Sequence, residues 1–207
     1  PGVTKALSFR WYVKDLLDGE LGLDEMALAR TPAEFLTALA KWPSTTQNAH
    51  IAHRDGWIGW HIMGHVPIRV GHSGLFPIPP DQAVKVWDGH STIPFDEMPH
   101  FHAPESDWTG SANHWGYGPD YPHVIAPRNG GPYRALWIRE SIEGFAKMSE
   151  ADHRSMQLDT VSLLARRMLP TILADLEGSS DPDVREIGTR LGAWDGRVDT
   201  TSVGATL

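Results

Sequence analysis

Apolar positions along this chain change period several times, and each change marks an element. Between Ala27 and Trp42, Phe35, Leu36 and Leu39 recur at helical spacing. Thr31 supplies an N-cap oxygen, Pro32 suits the first helical position, and Glu34 completes a capping box three residues on. The next stretch, Asn48–His53, Arg54-Asp55-Gly56 and Trp57–Val66, reads as a β-hairpin. Asp-Gly favours the positive φ of tight turns, and Trp57, Ile58, Trp60 and Ile62 fit a half-buried strand. From Pro67 to Pro132 proline and glycine are dense and long periodic runs are few, which predicts ordered loops with short strands, one near Val84–Trp87. Helical spacing resumes over Pro132–Lys147 and over Ala151–Leu169, the latter with Ser149 as N-cap. Pro170 is expected to kink the path or start a new helix through Leu176. Asp181, with Pro182 after it, opens a last helix to about Leu191.

Composition narrows the class. The chain has 207 residues, enough to bury a substantial core, with 41% apolar and 21% charged residues, as expected for a globular protein. A net charge of −8 argues against nucleic acid or an anionic membrane as partner. No apolar run reaches the roughly 18–20 residues that span a bilayer. The absence of cysteine excludes disulfides, thiolate metal sites and a cysteine nucleophile.

Three groups of residues invite a chemical reading. Asn113 sits in the turn-rich run Ser111–Trp115 with Gly110, Gly116 and Gly118 around it. A fixed side-chain amide there could donate to a developing oxyanion, though an asparagine bonding its own loop is the plainer reading of the local sequence. Arg134 falls in the first turn of a helix, where a cation meets the unfavourable end of the dipole; that calls for a specific partner, a carboxylate or backbone carbonyls, unless it is simply a surface arginine. The third group is histidine: ten of eleven lie between His50 and His123. His61 and His65 have zinc-like spacing for a helix, but the context alternates as a strand, which would set them about 13 Å apart. A His-rich metal-dependent hydrolase is therefore the weaker reading. The nine tryptophans raise another alternative, a carbohydrate-binding module with an exposed aromatic row, against which core filling is the simpler account. No GxSxG elbow is present for an internal serine.

Read forward from Gln47, the chain runs QN, DGWIGW, GHVPIR, PIP, IPFDEMP, SANHW, DYP and PYR, then MQLDTVSLLARRMLP and LGAWDGRVDTTSVGATL. This ordered series resembles the beta subunit of the penicillin acylase family of N-terminal-nucleophile hydrolases. The resemblance implies an α+β fold, part of an αββα sandwich, with 1–130 supplying helix, hairpin and loops and 131–207 mainly helical. It implies an amidohydrolase, periplasmic or secreted, that is made as a precursor and cut into alpha and beta subunits. Its N-terminal nucleophile would cleave the amide between an acyl side chain and an amine nucleus of β-lactam, acyl-homoserine lactone or lipopeptide type. Asn113 matches the oxyanion-hole asparagine, Arg134 an arginine supporting the active-site geometry, and Gln47 a position beside the acyl-side pocket, where a strand-edge role is the local alternative. Val124 stands where the family's calcium site often takes an aspartate, so no cofactor is expected from this stretch, and calcium is left as a possibility for the complete enzyme. Pro1 has neither the hydroxyl nor the primary amine of the nucleophile, and both ends read as cut. On this reading the chain is an inactive internal fragment that needs the alpha subunit and the remaining beta subunit, or self-associates.

Overall fold

The computed structural model describes residues 6–16, 19–82 and 91–207. The chain is mixed α/β and divides into two compact units: residues 1–111 with 115–129, and residues 112–114 with 130–207. The strand expected near Val84–Trp87 lies outside the described residues.

The first unit opens with a 3-10 turn at Tyr12–Leu16, then α1 (Leu23–Leu28) and α2 (Pro32–Leu39). The start of α2 follows local chemistry. Thr31 accepts from the Glu34 backbone N–H and the Glu34 carboxylate accepts from the Thr31 N–H, so two donors with no partner inside the helix are satisfied reciprocally. Lys41 reaches Glu25 at 2.7 Å and Glu20 at 3.0 Å, tying the end of α2 to α1 and the segment before it.

The hairpin forms as the sequence implies, with β1 (Gln47–Ala52) antiparallel to β2 (Ile58–Met63). Its turn closes through the Gly56 N–H on the His53 carbonyl, and Gly56 alone takes the positive φ, 87°. This is a turn followed by one left-handed residue, rather than two left-handed residues in succession. β2 departs from the half-buried expectation: Gly59, Trp60, His61 and Ile62 are all buried. A third strand, β3 (His100–His102), pairs with the other edge of β2 and makes it the centre of a three-stranded antiparallel sheet, and both of its faces are covered. On one face Trp60 and Ile62 join Val66, Ile93 and Met98 in the core. On the other, His61 stacks between Phe95 at 3.9 Å and His100 at 4.9 Å, with planes within 8°.

The second unit is helical: α3 (Tyr133–Glu143), α4 (Glu150–Gln157), α5 (Leu163–Glu177) and α6 (Pro182–Gly192). Ser149 and Asp181 cap α4 and α6 as expected. The single helix predicted over Ala151–Leu169 is instead two. Asp159 breaks it, because its carboxylate is engaged from three directions: Trp137 Nε1 donates at 2.7 Å, Arg197 Nη1 at 2.9 Å and the Val161 N–H at 3.2 Å. Ser162 then caps α5 by accepting from the Ala165 N–H. Pro170 lies inside α5 and neither ends it nor begins a new helix. α3 packs on α5 through the Arg166 guanidinium over the Trp137 ring and an Arg167–Glu140 ion pair of 2.8 Å. Among the described residues no helix is long and apolar enough to cross a membrane.

Two stability predictions follow from these partners. Burial raises the Asp159 carboxyl, but the Trp137, Val161 and Arg197 interactions outweigh it and hold its pKa below the ordinary value. Asp159→Ala strands a half-buried indole N–H and an arginine, and should cost about 2–3 kcal/mol in denaturant unfolding. His61 is pushed down from 6.5 to about 4, chiefly by burial, with His100 and His102 adding and the Ile62 carbonyl opposing. Between these values the unfolded chain binds a proton that the folded chain excludes, so stability must fall as pH drops through that window. His61→Phe should flatten the melting temperature between pH 6.5 and 4; an unchanged slope would assign the acid sensitivity elsewhere.

Candidate active site

Asn113 and Arg134, 21 residues apart in sequence, meet within the second unit. Arg134 Nη2 donates to Asn113 Oδ1 at 2.9 Å. Both side chains are exposed. The arginine has the specific partner that its place in the first turn of α3 called for, and that partner is a neutral amide oxygen rather than a carboxylate. A side-chain amide has one acceptor end and one donor end. With the oxygen engaged by the guanidinium, the Nδ2 group is the end left over, and it has no hydrogen-bond partner among the described residues.

The backbone beneath this amide is held from several sides. Asn113 itself takes the left-handed conformation, φ 55°, which asparagine tolerates better than most residues. The glycines that flank it in sequence do not supply the positive φ: Gly118 has open space around it, and Gly116 instead lets the chain approach the Trp60 ring. Ala112 is buried, and its N–H donates to His114 Nδ1 at 3.3 Å. The Gly130 N–H donates to the Asn113 carbonyl at 2.6 Å. Neither His114 nor Gly130 stands out in the sequence; the only signal for the latter is the Gly130-Gly131 doublet before α3. In the first unit, the residues leading up to this segment are fastened by His50, whose ring nitrogens lie 2.8 Å from the hydroxyls of Thr109 and Ser111.

Gln47 belongs to the first unit. It opens β1, is exposed, and pairs with Met63. Val124 contributes no carboxylate, and its carbonyl oxygen accepts from Arg69 Nη1 at 3.1 Å, so this position does not fit a calcium ligand. Among the described residues no group of three or more His, Asp or Glu is arranged to hold a metal ion. His61 Nδ1 donates to the Ile62 carbonyl, His100 Nδ1 to the Met98 carbonyl, and β2 ends before His65. Of the described tryptophans only Trp11 and Trp115 are exposed; the others are buried or half-buried, as core filling expects.

Comparison with known proteins gives this geometry a context. The sequence model of the penicillin amidase family matches residues 2–207. The chain belongs to the penicillin amidase family. It is 28% identical over 187 residues to a penicillin acylase 2 proenzyme of a Pseudomonas species, an alignment that takes in 89% of this chain and 23% of that protein. It is 30% identical over 167 residues to the acyl-homoserine lactone acylase QuiP of Pseudomonas syringae pv. tomato, covering 72% of this chain and 19% of the relative. Its fold matches a thermostable penicillin G acylase from Alcaligenes faecalis with a TM-score of 0.62 at 20% identity, over 92% of this chain and 34% of that one. The chain thus spans about a quarter or less of the curated relatives' length and a third of the solved acylase chain.

His114 yields a test of the local geometry. Its Nδ1 must keep a lone pair to accept from Ala112, so the ring is neutral in the observed arrangement. Burial, and secondarily the charge of Arg139, lower its pKa from 6.5. An NMR titration should find His114 below that value. Arg139→Ala should raise it only part of the way back, since burial is the larger cause. A full return would remove burial from the account.

Proposed function

We propose that this chain is the section of an acylase beta subunit that supplies the oxyanion donor for hydrolysis of an amide between an acyl chain and an amine nucleus. One observation supports this above the rest: Arg134 occupies Asn113 Oδ1 and leaves Nδ2 as a donor with no competing partner among the described residues. When a nucleophilic hydroxyl attacks an amide carbonyl, negative charge develops on oxygen, and a donor already oriented toward that point needs no reorganisation. In this reading the nucleophile is the N-terminal residue of the beta subunit, its own amino group acting as base, and it resides elsewhere in the acylase. The guanidinium adds positive potential behind the amide and keeps it from flipping. Gln47 borders the acyl-side pocket.

The finer expectations belong to the same proposal. The chain is a single section of the family's αββα sandwich, with 1–130 carrying helix, hairpin and loops and 131–207 mainly helical. Its partners are the alpha subunit and the rest of the beta subunit, and it hydrolyses nothing alone. The acylase is periplasmic or secreted. Its substrates are small acylated amines: a penicillin and an acyl-homoserine lactone are what the relatives' names point to.

The test uses the full-length acylase. Asn113→Ala should lower kcat by ~10² or more, the usual effect of losing one oxyanion donor. Asn113→Gly, which spares the left-handed backbone, should do the same with the melting temperature nearly unchanged. Near-normal kcat in Asn113→Gly would retire the assignment.

A further inference from the structure

The run Asn129-Gly130-Gly131-Pro132 ahead of α3 reads as an ordinary turn, but its two glycines are not equivalent. Neither takes a left-handed backbone, so conformational freedom does not explain them. They differ in what a side chain would meet. A Cβ on Gly130 would stand 2.9 Å from the carbonyl oxygen of Asn113 and 3.5 Å from Arg134 Nη2, the nitrogen that holds the Asn113 amide. A Cβ on Gly131 would meet only Tyr133 Cδ2, at an ordinary 3.7 Å. The Gly130 N–H meanwhile holds that same Asn113 carbonyl at 2.6 Å. Hydrogen bond and close approach therefore act on one atom: the amide donor pulls the carbonyl in, and the missing side chain lets it come.

We infer that Gly130 is a positioning residue that sets the placement of the Asn113 amide by clamping its backbone, an inference that rests on the role proposed for Asn113 above. The peptide plane is rigid, so displacing the Asn113 carbonyl by a few tenths of an ångström rotates its Cα and swings the side chain beyond it. The guanidinium that fixes Oδ1 would meet the same methyl only at an ordinary contact distance, 3.5 Å, so the effect falls on the backbone carbonyl. One added carbon thus disturbs the backbone support of the donor, while leaving the amide, the arginine and the left-handed turn chemically intact. A donor that must meet an oxyanion at hydrogen-bond distance is sensitive to such a shift; a substrate bound mainly by its acyl chain is not.

Four variants of the full-length acylase test this: Gly130→Ala, Gly131→Ala, Asn113→Gly, and Asn113→Gly combined with Gly130→Ala. Gly130→Ala should lower kcat by roughly 10-fold to 10² with little change in KM, the scale expected of a misplaced catalytic group. Gly131→Ala should stay within about twofold of the parent. In the Asn113→Gly background, adding Gly130→Ala should have no further effect on kcat, because no side chain remains to be positioned. If Asn113→Gly itself is near normal, the proposed function fails and this inference with it. If Asn113→Gly is slow while Gly130→Ala is not, only the clamp is wrong. An equal kcat loss from Gly130→Ala in both backgrounds, or a Gly130→Ala protein without the near-ultraviolet circular dichroism of the fold, would overturn the clamp by giving the glycine another task.

Discussion

A side-chain amide is a dependable donor only when something else occupies its oxygen, and here that is the guanidinium of Arg134 on Asn113 Oδ1. Without it the amide can rotate and present either end; with it, Nδ2 is the end that remains. The cation is expensive where it stands, in the first turn of α3, where the helix dipole disfavours positive charge. The bond to Asn113 offsets that cost, which is why arginine and asparagine make sense as a pair and neither does alone.

The pair in turn depends on where α3 lies. One turn along from Arg134, Trp137 donates its indole N–H to Asp159 and carries the Arg166 guanidinium on its ring face. Asp159 also receives Arg197, from the segment after α6, whose backbone bridges to Val161. A single carboxylate between α4 and α5 thereby ties the helix that carries the arginine to the last segment of the unit. The break in the helical run is the consequence: a residue satisfied by two tertiary donors and the backbone N–H two residues on stops being a helix-interior residue.

The histidine-rich first unit obeys the same logic of prior engagement. His61 and His100 give their Nδ1 protons to backbone carbonyls and stack their faces on each other and, for His61, on Phe95. Stacked rings keep their remaining nitrogens in nearly parallel planes, and on the second face of the sheet these histidines serve as packing groups. The cost appears as the depressed pKa of His61.

Features decided within a few residues were legible in the sequence. Caps at Thr31, Ser149 and Asp181, the hairpin turn at Asp55-Gly56, and the helical period of α3 and α6 rest on contacts between residues at most a few positions apart, so their residue types suffice. The ordered series of short motifs also carried the family, because it records spacing along the whole chain. Features that need partners far along the chain were not legible. β2 is buried on both faces because residues some forty positions later close round it, β3 on its second edge and Phe95 on the His61 ring. The helix over Ala151–Leu169 breaks because Trp137 and Arg197 arrive from either side of it. Asn113 was a loop asparagine until Arg134 reached it, and Gly130 was one of two like glycines until the fold set one of them against the asparagine's carbonyl. Residue type decides what a group is able to do locally; only packing decides which of its two ends, or which of two identical neighbours, is in use.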